Sequence, residues 1–317
     1  MIAFVFPGQG SQAVGMGRAL AEAYPICREA FEEADAALGF ALSATIFEGP
    51  ADRLTLTEIT QPAILTVSVA AWRLLESRGC HPAIVAGHSL GEYSAHVAAG
   101  TFSFADAVRT VHHRGRYMQD AVPVGTGAMA AILGADEALV AQACMEAADG
   151  EVVSPANLNS PGQIVIAGAT AAVARAGERA KALGAKRVIP LTVSAPFHCA
   201  LMKPAELRLA PELRALTTRD PRVPVVANVD AEPRYEAAAS IEALIRQVSA
   251  PVRWEDSVRR LASDGVTAYV EVGPGTVLSG LIRKVAREAT VLNLEAPDQL
   301  AAIEALMAGE SRASEHS

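Results

Sequence analysis

The sequence predicts a doubly wound α/β core that carries a small α+β insert. Three observations lead there. Short apolar runs alternate with segments of helical periodicity, the rhythm changes to β-α-β-β-α-β between residues 125 and 194, and a serine stands between a strand-like and a helix-like segment in Gly87-His88-Ser89-Leu90-Gly91. Parallel strands are covered on both faces, so they read as continuous apolar runs rather than alternating ones.

The first run, Ile2 to Phe6, ends at Pro7 and has no basic leader, which fits a buried first strand rather than a signal peptide. Apolar residues at three- and four-residue spacing predict helices over Ala19 to Leu38 and Gln61 to Arg78. A strand over Ala83 to Ala86 and helices over Glu92 to Ala99 and Phe104 to Gln119 follow. The Gly/Pro-marked stretch Pro123 to Gly127 announces the insert. Its expected strands are Ala128 to Leu133, Val152 to Ala156, Gln163 to Ala167 and Arg187 to Val193, with helices over Glu137 to Ala148 and Ala171 to Leu183. That order matches a ferredoxin-like unit. The larger unit resumes with strands over Val223 to Val226, Ala268 to Val272 and Thr290 to Leu294, and helices over Ile241 to Val248 and Trp254 to Ser263. The expected domains are therefore 1–124 together with 195–317, and 125–194. The polar, aperiodic tail from Gly309 to Ser317 is expected to fray.

Composition narrows the function. The 317 residues are 51% hydrophobic and 20% charged, and 35 acids against 27 bases give a net charge of -8, which argues against nonspecific nucleic-acid binding. The four cysteines are scattered with no C-x-x-C pair, so neither a disulfide framework nor a zinc site is indicated. No apolar run approaches the roughly 18 residues that span a bilayer, and the expected location is cytoplasmic.

The Gly87 to Gly91 stretch has the form of a nucleophile elbow, in which small residues let strand and helix backbones pass while the serine projects from a tight turn. The alternative is an ordinary exposed turn serine. A hydroxyl nucleophile needs a base, and seven histidines compete for that place. His88 should point away from Ser89, and His96 lies two turns along the same helix, too far to reach it. His112 and His113 occupy a polar helix, His81 precedes a proline, and His316 is in the tail. His198 lies where the chain re-enters the large unit, in Ser194-Ala195-Pro196-Phe197-His198, an edge where clefts form; the competing reading is a satisfied core histidine. The loop Pro7 to Ala13 offers backbone N–H groups. It fits G-x-G-x-x-A, but a helical pattern occupies the place where that fingerprint needs a second strand, so an oxyanion-binding loop is the better reading. No Walker motif is present. Arg114 follows on the next helix and reads either as a solvated charge or as a bidentate site for a carboxylate. Glu271-Val272-Gly273-Pro274-Gly275 reads as a structural turn.

Taken in order, Pro7-Gly8-Gln9-Gly10-Ser11-Gln12, Gly87-His88-Ser89-Leu90-Gly91-Glu92-Tyr93, Arg114, Pro196-Phe197-His198 and Glu271 to Gly275 resemble the malonyl-CoA:acyl-carrier-protein transacylases of fatty-acid synthesis, over about residues 1 to 300. The resemblance implies an α/β-hydrolase-like large domain with an inserted ferredoxin-like domain. It also implies acyl transfer through Ser89 with His198 as base and acid, and an oxyanion hole from the backbone N–H groups of Gln9 and Leu90. Arg114 would pair with the malonyl carboxylate. Gln247 would orient the histidine through its carbonyl, so that neither Asp256 nor Glu271 would act as a triad acid. Phe197 would narrow the pocket and favour malonyl over branched malonyl groups, as in polyketide acyltransferases. The implied partners are malonyl-CoA and an acyl carrier protein that brings its own phosphopantetheine, with no cofactor, metal, nucleic acid or membrane, and a monomer as the expected state. Lys181, Lys186 and Arg187 are candidates for meeting an acidic carrier. Three rivals remain: a trans-acting polyketide acyltransferase, a serine thioesterase or esterase that passes the acyl group to water, and a non-catalytic carrier-docking domain that kept the fold, which the joint presence of Ser89, His198 and Arg114 speaks against. Against the second, no His-Gly-Gly-Gly motif precedes the elbow.

Overall fold

The computed structural model describes residues 1–123, 125–193 and 195–314, without the side chains of 311–314. The expected domain edges at Val124 and Ser194 and the last three tail residues lie outside these.

The strands are β1 (Ile2–Phe6), β2 (Ile84–Gly87), β3 (Gly127–Leu133), β4 (Val153–Ser160), β5 (Gln163–Ala169), β6 (Arg187–Pro190), β7 (Val225–Val226), β8 (Pro233–Arg234), β9 (Ala268–Val272) and β10 (Thr290–Leu294). Six of them form one sheet in the order β10-β9-β1-β2-β7-β8, parallel except for the edge hairpin β7-β8. Every residue of β1, β2 and β9 is buried. The period of two explains how: Ile2, Phe4 and Phe6 enter the larger core with the helix Thr57–Ser77, whereas Ala3 and Val5 meet Trp254, Val258 and Leu281 on the other face.

The remaining four strands form an antiparallel sheet in the order β4-β5-β3-β6, and the helices Glu137–Ala147 and Thr170–Ala182 cover one face. This is the ferredoxin-like arrangement. β4 is tied to the segment that follows the helix Ala237–Gln247, because Leu158 N–H donates to the Val252 carbonyl and Val252 N–H to that of Ala156, at 2.9 Å each. The two sheets therefore meet beside the residues described below.

Several elements depart from the sequence pattern. The helix expected over 19–38 is two helices, Arg18–Ala23 and Pro25–Leu38, because Tyr24 before the proline is extended, at φ -131° and ψ 119°. β6 ends at Pro190 rather than Val193, and β7 shrinks to two residues. The helices Leu42–Glu48 and Lys203–Ala215 carry no clear apolar stripe in sequence, whereas Val277–Val285, also not expected, does carry one, with Leu278, Leu281 and Ile282 buried. The tail, expected to fray from Gly309, is helical through Ser314, and the chain's amino terminus pairs with Glu310 at 2.8 Å.

At the elbow two glycines are required by contact. A Cβ on Gly87 would lie 2.0 Å from the Gly91 carbonyl, and one on Gly91 would lie 2.0 Å from the Phe6 carbonyl oxygen. Gly91→Ala is therefore expected to cost about 3 kcal/mol or more, since backbone rather than a flexible side chain must move. Urea unfolding checks this; a midpoint unchanged from the parent would show that the helix and β1 part at little cost.

Candidate active site

Ser89 sits between β2 and the helix Gly91–Ala99 with φ 53°, a left-handed conformation that L-residues adopt only under constraint. Its backbone N–H donates to Asn228 Oδ1 at 2.7 Å, and Asn228 Nδ2 donates to the Gly87 carbonyl at 2.7 Å. One amide thus clamps both sides of the turn.

His198 is also left-handed, at φ 59°, and is 3% exposed. Its Nε2 lies 2.7 Å from Ser89 Oγ, and its Nδ1 lies 2.9 Å from the Gln247 backbone oxygen. A carbonyl only accepts, so Nδ1 carries the proton and Nε2 presents its lone pair to the serine hydroxyl. Gln247 ends its helix, and the residue four further on is Pro251. Without an N–H there, the Gln247 carbonyl has no helical partner and is left for the histidine. Burial, with the Arg114 charge second, pushes His198 down to about 3, so the ring is neutral at neutral pH.

Arg114 is 1% exposed. Nη1 donates to Gln61 Oε1 at 2.8 Å, while Nη2 donates to Gln247 Oε1 at 2.8 Å and to Ser89 Oγ at 3.1 Å. Its guanidinium also lies over the Tyr93 ring, 5.4 Å from the centroid. Its charge therefore meets only neutral acceptors, a setting that favours an incoming carboxylate. The reading of Arg114 as a solvated charge does not hold.

Gln9 and Leu90 border the same cavity of about 300 Å³ as Ser89, Arg114, Phe197 and His198. Gly8 brings the first loop against the elbow, where an added Cβ would stand 2.4 Å from the His88 oxygen. Gly10 and Ser11 turn their N–H groups into the loop, toward Gln12 Oε1 and the Gly8 carbonyl. Among the described residues neither the Gln9 nor the Leu90 N–H has an acceptor in the protein, as an oxyanion site requires. Phe197, 8% exposed, forms part of the cavity wall.

Four other histidines bond elsewhere than the serine hydroxyl. His88 Nε2 bonds Asn159 at 2.9 Å, and buried His96 bonds Thr101 at 3.1 Å. His112 and His113 face Glu58 and Glu212. Glu271 accepts from the N–H groups of Leu278 and Ser279 and so caps a helix, and Asp256 pairs with Arg253. Neither carboxylate bonds His198. Arg187 opens β6, roughly 13 Å along the strand from the cavity-lining Leu191. Sequence reasoning missed Gln61, Asn228 and the role of Glu92. For Glu92 a signal existed, an acid in the first turn of a helix that is otherwise uncharged apart from His96.

Among the described residues no helix is long and apolar enough to cross a membrane, and no group of three or more His, Cys, Asp or Glu could hold a metal ion.

The family described as acyl transferase domain matches residues 3–309. The chain is 56% identical to the malonyl CoA-acyl carrier protein transacylase of Salmonella typhimurium over 301 residues, 95% of this chain and 97% of that protein. Among solved structures it superimposes on an acyl carrier protein S-malonyltransferase of Vibrio cholerae with TM-score 0.94 and 49% identity, covering 95% of this chain and 99% of the other. It also superimposes on a malonyl-transacylase in complex with its type II PKS acyl-carrier protein, with TM-score 0.93 and 48% identity, covering 95% and 98%.

Proposed function

The chain belongs to the acyl transferase family, and from that premise we propose how its residues carry a malonyl group from malonyl-CoA to the phosphopantetheine thiol of an acyl carrier protein. The enzyme is an acyl-carrier-protein S-malonyltransferase. The observation that carries the residue assignment is the chain of hydrogen bonds from Ser89 Oγ through His198 to the Gln247 carbonyl.

In the first half, Ser89 Oγ attacks the thioester carbonyl while its proton passes to His198 Nε2. The Gln9 and Leu90 N–H groups receive the oxyanion. The carbon–sulfur bond breaks, and His198 returns the proton to the departing coenzyme A sulfur. In the second half the carrier's thiol gives its proton to His198, attacks the ester and takes the malonyl group, and the proton returns to Ser89. The carboxylate lies two carbons beyond the acyl carbon, on the side of the cavity that Arg114 borders, and Phe197 limits branching at the carbon between. Malonyl-CoA and the carrier thiol supply all the chemistry, so no cofactor is needed. We assign the work to a discontinuous domain, 1–124 with 195–317, interrupted at 125–194, acting as a cytoplasmic monomer in fatty-acid synthesis.

Intact-mass measurement tests this. Incubation with malonyl-CoA should leave a malonyl adduct on Ser89 that a phosphopantetheinylated carrier removes. Free coenzyme A accumulating with no carrier and no adduct would make water the acceptor. Arg114→Ala should slow malonyl adduct formation by roughly 100-fold, because a desolvated charge pair loses one partner, while acetyl adduct formation is held or raised. Equal loss for both acyl groups would make Arg114 structural.

A further inference from the structure

One buried carboxylate takes no part in the steps above. Glu92 stands in the first turn of the helix that follows the elbow and is 0% exposed. Its Oε2 accepts from the Asn228 backbone N–H at 3.0 Å and from Gln247 Nε2 at 2.7 Å. Both partners hold the reacting groups. Asn228 clamps the turn at Ser89, and Gln247 touches every other member: its carbonyl receives His198, its Oε1 receives Arg114, and its Nε2 also donates to the Ser89 carbonyl at 2.8 Å.

Burying a carboxylate costs several kcal/mol unless something compensates. Among the described residues Glu92 makes no hydrogen bond to a cation; both of its donors are amides. Its other oxygen, Oε1, has no partner. Burial pushes the group up to about 7, so the neutral acid is populated near neutrality. That proton can reside on Oε1 and leave Oε2 accepting the same two bonds. What the site keeps at this cost is an acceptor at a fixed reach, in either charge state.

We propose that Glu92 is a positioning residue, which holds the Gln247 carboxamide between Ser89 and Arg114 and with it the carbonyl that seats His198. The proposal rests on the acyl-enzyme reading of Ser89. The Asn228 carboxamide holds the Ser89 turn through its own bonds to Ser89 and Gly87, so what depends most on Glu92 is the setting of Gln247. Charge and reach can be separated by substitution. Glu92→Asp keeps the charge and withdraws the oxygen by one methylene; Glu92→Gln keeps the reach and discards the charge.

The experiment measures kcat, KM and the malonyl-to-acetyl ratio of Ser89 adduct formation for the parent and both variants. Each value is taken per folded molecule, with the folded fraction read from melting curves. Glu92→Asp should lower kcat by roughly 10- to 100-fold, the scale of displacing a positioned group by about 1 Å. KM should change little, and the malonyl preference should fall because Arg114 loses its fixed acceptor. Glu92→Gln should stay within a few-fold of the parent on both measures. The proposal is overturned if Glu92→Asp matches the parent in kcat and acyl preference, or if Glu92→Gln falls as far as Glu92→Asp. A parent enzyme that forms no adduct on Ser89 overturns the acyl-enzyme reading instead.

Discussion

Ser89→Ala is expected to abolish the malonyl adduct and to lower kcat on the order of 10⁶-fold, the loss seen when a nucleophile is taken from a hydroxyl-based catalytic unit. The alanine leaves the elbow intact, because the turn is set by Gly87, Gly91 and the Asn228 clamp on the backbone of residue 89. Malonyl-CoA should still bind, since Arg114 keeps Gln61 and Gln247 as partners. The measurement is carrier malonylation under saturating malonyl-CoA, with binding followed separately by calorimetry. A variant that still malonylates the carrier at a tenth of the parent rate would remove the serine from the mechanism.

His198→Ala should lose roughly 10⁴-fold in kcat, the upper range for a general acid–base group. The nucleophile remains, so a slow malonyl adduct should still accumulate over long incubation, which distinguishes this variant from Ser89→Ala. The charge state of the ring sets the pH profile. His198 is displaced from 6.5 down to about 3, so it binds no proton as pH falls through 6.5 and stays a competent base well into the acid range. The parent's kcat/KM should therefore show no break at the ordinary histidine value. A single acid limb centred at 6.5 that disappears in His198→Ala would show that the ring is solvated and titrates normally. Stability carries the opposite sign. The unfolded chain takes up a proton at this position below about 6.5 and the folded one does not, so lowering pH through that value draws stability from the native state.

The elbow was readable because its constraints are local. Gly87 is fixed by how β2 and the next helix cross, which leaves its mark within five residues, while Gly91 answers to the Phe6 carbonyl of β1 yet falls in the same short motif. The strands β1, β9 and β10 were bounded to the residue: β1 and β9 are buried along their whole length, which forces largely apolar runs, and the half-buried edge strand β10 keeps enough apolar residues to be read with them. His198 could not be told from a core histidine by spacing. Its partners Ser89 and Gln247 lie 109 and 49 residues away, and only the fold brings them within hydrogen-bond reach. Arg114 was ambiguous for the same reason, because nothing in its own helix reports that Gln61 and Gln247 will shut out water. Glu92, Asn228 and Gln61 were overlooked because a buried polar side chain has no period. The misread helices have physical causes too: a proline divides the first one, and Lys203–Ala215 contains Pro211 and a polar face that blurs its stripe.

β1, central in the main sheet, is translated long before one of its two neighbours, β9. Until Ala268–Val272 has been translated, β1 has an open edge, and Phe4 and Phe6 lack part of the core that covers them. The nucleophile is synthesised early, but its base and that base's carbonyl arrive only after the small sheet has been made and passed. Nascent chains and truncated products therefore carry the serine without the means to ionise it. Pairing of such sequence-distant segments is slow, and it leaves strand edges exposed while the chain waits. This topology withholds chemistry until the segments that carry Ser89, His198 and Gln247 have all been made and brought together.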